Sequence, residues 1–595
     1  MKSTLSAARL LAGIGREIGV AVCVFYLFVS GTAFISPLLL ALGVRPLVDG
    51  AVAHENGQIV AGAVLAGCGL LLTVLSPIGY RWATIRMRER SVLVVQRRMV
   101  RLSSAAPRLE HFERPEYWDR MQLLRRGTED LANGIALVLV GPLLLVQLVV
   151  AAISLAQFQP LLCLVPLVAL PTIQLSKRSE RLRRSAEERA AESRRLANHL
   201  FNLASSTASA SEIRLYGLRE TLLDRHEAAT RTVRAETERA LLAATAANAL
   251  SWLIFAGAYA VAIFVSLREA IRGQASPGDV ALTMTMAGAV VAGAARLSDL
   301  IGSLGRVSAA AGHYRWLEDQ ARDGHPGGAR PEPATAAPRA LASGIALEDV
   351  TFRYGSGAPA LDGVSLRLLA GSVVAVVGEN GAGKTTLVKM LTGMYRPSLG
   401  RVSVEGSDLA ELDLADFRMH TTAGFQDHTR FEFSVARTVG LGDLPRIDDA
   451  QAVSHALGKA GAGFAHELPR GLETRLGTSW TDGVDLSGGQ WQKLAMARSL
   501  MRPEAYLAVY DEPAAALDPQ SEHRLFEQIS AGAEQGRAQG RITVLVTHRF
   551  STVRMADLIV VLDRGRVTEQ GTHEELISAG GLYAELYEMQ AAAYR

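Results

Sequence analysis

Eight residues, Gly378 to Thr385, read GENGAGKT and fit the spacing G-x-x-x-x-G-K-[ST]. The apolar run SVVAVVG before them reads as a buried strand, and TTLVKMLTG after them as a helix. In that context the spacing binds phosphate. Glycines Gly378, Gly381 and Gly383 let backbone N–H groups close around phosphate oxygens, and the helix N-terminus adds positive potential. Glu379, Asn380 and Ala382 complete the loop, and Thr386 follows it. Lys384 is placed to reach the β- and γ-phosphates, and the Thr385 hydroxyl to bind Mg2+. Such a loop needs an acid. AYLAVYDEP is an apolar strand ending in Asp511–Glu512. Asp511 is placed to hold Mg2+, directly or through water, and Glu512 to polarise an attacking water. An Asp–Glu pair at a strand end is ordinarily a solvated edge; the phosphate loop upstream reverses that reading.

The elements that must carry these groups differ between the two halves of the chain. Its 595 residues exceed one core, and its net charge of +3 is too small to argue for nucleic acid. Cys23, Cys68 and Cys163 each lie in an apolar run and read as small buried hydrophobes, not as a disulfide framework or metal ligands. Six stretches are long or apolar enough to span a membrane, near 17–47, 58–80, 132–156, 160–176, 240–267 and 279–302. The N-terminal segment has the basic start of a signal peptide, but its apolar run is too long and lacks a cleavage site; it reads as the first membrane helix. Segments 81–131 and 177–239 are rich in arginine, and the other connections are short with few charges. The positive-inside rule makes the arginine-rich segments cytoplasmic, with both termini.

Those cytoplasmic segments are longer than turns. The stretch around SERLRRSAEERAAESRR has helix-forming composition and i,i+4 pairs such as Arg184 with Glu188. Residues 108–122 and 209–220 are candidate contact points with another domain. Residues 320–343, rich in Pro, Ala and Gly, read as a linker. The expected organisation is an all-α six-helix transmembrane domain over 1–319, the linker, and an α/β P-loop NTPase domain over 344–595.

Downstream, LSGGQWQKLAMARSLM reads as a helix with Ser487 near its N-terminus and Pro503 after its end. The phosphate loop, LSGGQ and DEP, in this order after six spans, resemble an ATP-binding cassette (ABC) transporter of the exporter type, as a half-transporter. The resemblance covers nearly the whole chain. It implies that Tyr354 stacks on adenine, that Gln426 in GFQDHTRF contacts Mg2+ and water, and that His548 contacts the γ-phosphate. It implies that Asp518 in ALDP addresses the opposing subunit. It also implies that Leu486, Ser487, Gly488, Gly489 and Gln490 face the ATP bound to the partner's phosphate loop. ATP and Mg2+ are then the cofactors, and a second half-transporter is the partner, as homodimer or heterodimer, in the lipid bilayer of the cytoplasmic membrane.

Two departures stand out. Where the family usually has a glycine–glutamate pair before the signature, this chain reads TSWTDGVD, with Trp480 and Asp482. Before ALD it has PAA, without the usual serine or threonine. The leading expectation is ATP-driven export of an amphipathic small molecule or peptide; the alternative is lipid flipping or uptake of a metal chelate. The absence of a cysteine peptidase domain argues against leader-cleaving peptide export. The absence of a further soluble domain weakens the chelate reading. The spans are nearly free of charge apart from Arg296 and Asp299 in the sixth, functional candidates by their position.

Overall fold

The computed structural model describes residues 2–157, 169–323, 335–355, 357–514, 519–547, 549 and 553–593. The chain divides into two compact units, Met1–Ser103 with Asp119–Glu318, and Ser104–Trp118 with Asp319–Arg595.

The first unit is helical: α1 (Lys2–Ile18), α2 (Val20–Ala53), α3 (Asn56–Ser103), α4 (Pro115–Ala156, its first residues in the second unit), α5 (Ala169–Arg189), α6 (Ala191–Ser205), α7 (Thr207–Leu215), α8 (Arg219–Ile271) and α9 (Pro277–Asp323, which also ends in the second unit). Among the described residues α2, α3, α4, α8 and α9 are long and apolar enough to cross a membrane. They coincide with five of the six expected spans. The other, 160–176, lies outside the described residues as far as 168, and Pro166 with it. The first expected helix is two. Gly19 takes φ 106°, a backbone that side chains rarely adopt, and the chain turns there between α1 and α2. On α1, Leu10, Leu11, Ile14 and Ile18 are buried while Arg9 and Arg16 are exposed. An amphipathic helix with basic residues on its exposed face differs in kind from the apolar span after it.

Glycines let α2 and α3 approach closely. A Cβ on Gly43 would lie 2.2 Å from Ala66 N, one on Gly62 2.4 Å from Leu47 N, and one on Gly69 2.4 Å from Leu40 N. In lipid, where apolar contact is no driving force, such backbone approach supplies helix association. Ala41, Leu148, Leu155, Ala262, Met286 and Val290 join α2, α4, α8 and α9 in one apolar cluster. At one end Ser276 and Asp279 cap α9, and Asp49 of α2 accepts from Gly278 N (2.8 Å) and Ser276 Oγ (2.9 Å). Arg184 pairs with Glu180 at 3.6 Å, one turn before it, whereas the expected partner Glu188 lies one turn after. Arg296 and Asp299 are both exposed, and the Arg296 guanidinium lies 5.9 Å from the Phe34 ring centre.

The second unit holds two sheets. The smaller runs β2-β1-β4-β5 (β1 Gly344–Arg353, β2 Pro359–Leu369, β4 Leu399–Val404, β5 Ser407–Asp408). The larger runs β10-β9-β3-β8-β7-β6, with β3 Val373–Val377, β6 Thr421–Gly424, β7 Leu507–Asp511, β8 Ile542–Val546, β9 Leu558–Asp563 and β10 Arg566–Gly571. All but β10 pair in parallel, and β3, β7 and β8 are buried along their whole length, as continuous apolar strands of a covered sheet must be.

The segment expected as a linker, 320–343, is structured at both ends. Helix α9 continues to Asp323, and residues 335–343 are fastened to the sheet domain. Ala337 N donates to the Asp416 carboxylate (2.8 Å), the Glu405 carboxylate accepts from Ala342, Ser343 and Gly344 N, and Ala337 and Leu341 are buried. Residues 335–343 contain one proline, Pro338, and their other backbone donors are available for such edge bonding.

We expect Gly62→Leu to lower the melting temperature of the detergent-purified protein by several degrees, because overpacking costs ~1–3 kcal/mol. Gly67→Ala, with nothing within 4 Å of the added carbon, should leave it unchanged. Equal melting of both variants would contradict close α2–α3 packing.

Candidate functional site

Parallel strands order the chemistry before any side chain is considered. Strands β3, β8, β7 and β6 lie side by side, so their carboxyl ends form one edge. The residues that follow them are the phosphate loop, Thr547, Glu512 and Gln426. Open parallel sheets bind ligands at that edge.

The phosphate loop is built by glycine. Gly378, Gly381 and Gly383 take φ 149°, 84° and 103°. A Cβ on Gly378 would strike Leu562 O at 2.2 Å, and one on Gly383 would strike Ala360 O at 2.5 Å. Only glycine permits this wrap, which leads into the helix Lys384–Leu391. The Lys384 ammonium donates to Gly378 O and Glu379 O, both at 2.8 Å, so its side chain is folded back over the loop. Burial lowers its pKa, against the opposing pull of Glu512 and Asp511.

Both carboxylate oxygens of Asp511 are buried without a donor by hydrogen-bond geometry, although Thr385 is close enough to favour the charged form. Burial pushes the Asp511 carboxyl up, opposed by Thr385 and Lys384. An orphaned buried carboxylate beside a threonine hydroxyl fits a hard divalent cation. Among the described residues no group of three or more His, Cys, Asp or Glu could hold a metal alone, so a cation here would share its ligands with phosphate oxygens.

Glu512 takes φ 47°, a strained backbone for a non-glycine residue, and its N–H donates to Val546 O at 2.9 Å. Gln426 Nε2 donates to Glu512 Oε2 at 3.1 Å. The phosphate loop, Tyr354, Gln426 and Glu512 therefore line one cavity of about 1040 Å³. Tyr354 stands at its rim; its hydroxyl lies 3.1 Å from Thr386 Oγ1. Asp518 and His548 lie outside the described residues.

Ser487 is the N-cap of the helix Gly488–Ser499. Its Oγ accepts from Gln490 N, and the Gln490 side chain accepts from Ser487 N at 2.9 Å. This reciprocal capping box explains the glutamine three residues after the serine. Ser487 and Gly488 are exposed, Leu486 is buried, and none of the five signature residues lines the cavity. The two atypical residues before the signature, Trp480 and Asp482, are tied within the chain. Arg470 pairs with Asp482 at 2.6 Å, and the Arg475 guanidinium stacks 3.4 Å from the Trp480 ring centre.

The structure adds residues that motif reading missed. Gln492, two positions past the signature, donates to Pro513 O (2.9 Å) and Glu512 O (3.3 Å), tying the signature helix to the strand end that carries Glu512. A glutamine on the apolar face of a helix signals such a bond. Leu586, Met589 and Gln590, three residues on one face of the C-terminal helix Leu582–Ala593, line the cavity. Of the candidate contact points, the first is engaged within the second unit. Leu109 N donates to Met394 O (2.9 Å), Arg396 N to Glu110 (2.8 Å), Tyr395 to Glu113, and Arg418 to Pro107 O (2.6 Å). Around 209–220, Leu215 and Tyr216 are exposed.

Comparison with known families places "ABC transporter transmembrane region" over residues 20–293 and "ABC transporter" over 361–515. An ATP-dependent lipid A-core flippase of Aromatoleum aromaticum is 35% identical over 340 residues, 57% of this chain and 53% of that protein. Its counterpart in Xanthomonas oryzae pv. oryzae is 32% identical over 72% of this chain and 69% of its own. That of Chromobacterium violaceum is 29% identical over 92% and 91%. A bacterial Atm1-family ABC exporter with ATP bound has the same fold, with TM-score 0.76, 23% identity, and coverage of 97% of this chain and 99% of that one.

Glu512→Gln should lower ATP turnover of the purified protein by ~100-fold or more while ATP still binds, since Glu512 is the general-base candidate at the strand end. Phosphate release and nucleotide binding measured side by side check this; near-native turnover would remove Glu512 from the role.

Proposed function

The chain belongs to the ABC transporters, ATP-hydrolysing membrane proteins, and from that premise we propose that it is an exporter-type flippase that moves an amphipathic lipid across the cytoplasmic membrane. The lipid reading is favoured over a peptide or drug-like cargo because the relatives described above are named lipid A-core flippases. Uptake of a chelate has no counterpart among them.

One observation carries the assembly. The signature residues of this chain lie outside the cavity lined by its own phosphate loop, with Ser487 and Gly488 exposed at a helix N-terminus. Such an N-terminus suits an anion, and the γ-phosphate it would meet belongs to a second half-transporter. Two chains then make two composite sites, and ATP draws them together.

Within each site the glycine loop and Lys384 bind the triphosphate, with Lys384 leaving the carbonyls of Gly378 and Glu379 to do so. Glu512, held by Gln426, polarises the water, and His548 contacts the γ-phosphate. Asp511, Thr385 and Gln426 would hold Mg2+, which when bound supplies charge neutralisation for the phosphates. Tyr354 stacks on adenine, and Asp518 addresses the partner. By the positive-inside rule, the arginine-rich segments support a cytoplasmic side for the ATPase units and both termini.

In proteoliposomes, ATP should increase the transbilayer movement of a fluorescent lipid analogue, read by dithionite quenching, and Glu512→Gln should abolish the increase. ATP hydrolysis without any such movement would remove lipid as the cargo. Mixing Ser487→Arg chains with Lys384→Ala chains tests the composite site. Each variant alone should be inactive. Random pairing leaves about a quarter of the sites intact if the signature works on the partner. No recovery on mixing would count against the trans arrangement.

A further inference from the structure

Tyr354 is not simply a ring at the rim of the cavity. It packs at right angles to Tyr395 (ring centres 5.6 Å apart, planes at 86°) and to Phe352 (5.0 Å, 85°), and Phe352 in turn packs on Tyr395 at 4.8 Å. Phe352 is buried and Tyr395 is 2% exposed, so this aromatic group has little room to move independently. The Tyr395 hydroxyl donates to the Glu113 carboxylate. Glu113 closes the short turn Glu110–Glu113, which is also held by Leu109 N on Met394 O and by Glu110 on Arg396 N, the two neighbours of Tyr395 in sequence. All of these residues belong to the second unit. The turn opens directly into α4, one of the membrane-spanning helices.

We propose that Tyr395 is a positioning residue that makes the turn 107–113 responsive to the adenine base, through its T-shaped packing on Tyr354 and its hydroxyl on Glu113. This rests on the reading that Tyr354 stacks on adenine. A base lying on Tyr354 fixes the plane of that ring. Edge-to-face packing fixes Tyr395 in turn, because aromatic pairs favour defined relative orientations. The hydroxyl then holds Glu113 in one place. Burial, and then the Glu113 carboxylate, push the Tyr395 phenol far up, so it remains a donor at any working pH.

A second route reaches the same turn from the phosphates. The helix Lys384–Leu391 runs from the phosphate loop to within a few residues of Tyr395. The Tyr354 hydroxyl touches the start of that helix at Thr386. Base and triphosphate therefore reach the turn by two routes, the ring of Tyr354 and the helix Lys384–Leu391, and a ligand with phosphates but no base separates them.

The test uses the full chain in lipid nanodiscs, with Glu512→Gln to hold nucleotide. Hydrogen–deuterium exchange of peptides covering 104–118 is compared with MgATP, with Mg-tripolyphosphate and without ligand. ATP should protect these peptides more than tripolyphosphate does. Tyr395→Phe should erase the difference between the two ligands while the ATP KM, measured with native Glu512, stays within about twofold. Glu113→Gln, whose amide oxygen still accepts, should retain the difference, and Glu113→Ala should lose it. An ATP-specific difference that survives Tyr395→Phe overturns the proposal. Tyr354→Ala separates the premise: stacking predicts a rise of about tenfold in ATP KM. An unchanged KM there overturns stacking and the relay together; a raised KM with no ATP-specific protection in the parent overturns the relay alone.

Discussion

Charge buried at the carboxyl edge of the six-stranded sheet is the constraint on which the rest of the molecule depends. Lys384 is 7% exposed and Asp511 2% exposed, and neither has a fully matched partner of opposite sign. Buried charge is costly unless paired. The chain tolerates it because parallel strands on either side hold the groups in place; in the proposed site a triphosphate and its cation would complete the pairing. The left-handed backbone of Glu512 belongs to the same strained edge. Stability is given up where ligand will restore it.

Much of this site was legible in the sequence, for a physical reason. A phosphate loop is contiguous, and its glycines are demanded by local backbone geometry. The loop of Gly378 to Thr385, the strand ending at Asp511 and the capping serine Ser487 all appear where their spacing places them. What escaped sequence reading depends on distant partners. A glutamine on an apolar helix face signals a bond but not its partner, so nothing local names Pro513 for Gln492, or Glu113, 282 residues away, for Tyr395. The turn at Gly19 was missed because an apolar run of mixed length hides a single glycine. The fastening of residues 335–343 to the sheet domain was not legible, because Pro and Gly report on what a backbone cannot form, not on what it can attach to.

The signature shows how two constraints can share one helix. In the proposed assembly its first residues must stay open to an anion, yet its next turn must be anchored. The exposure of Ser487 and Gly488 allows the first, and Trp491, Gln492 and Leu494, all buried, supply the second. The preceding residues, Trp480 and Asp482, are atypical for the family, and both are already engaged by arginines of their own chain. Any contact that segment makes with a partner begins from a pre-formed loop, whose ordering entropy has been spent in folding.

The lengths of the membrane helices carry a mechanical consequence. Helix α9 has 47 residues and α8 has 53. At 1.5 Å per residue these are rods of roughly 70 and 80 Å, more than twice the ~30 Å hydrocarbon thickness. A rod pivoting about one end trades angle for distance: a tilt of about 5° displaces the far end of a ~70 Å lever by roughly 6 Å, about one helical turn. In the proposed flippase, modest rearrangements at one end of such a rod would be geared up to a stroke comparable with the width of an acyl chain.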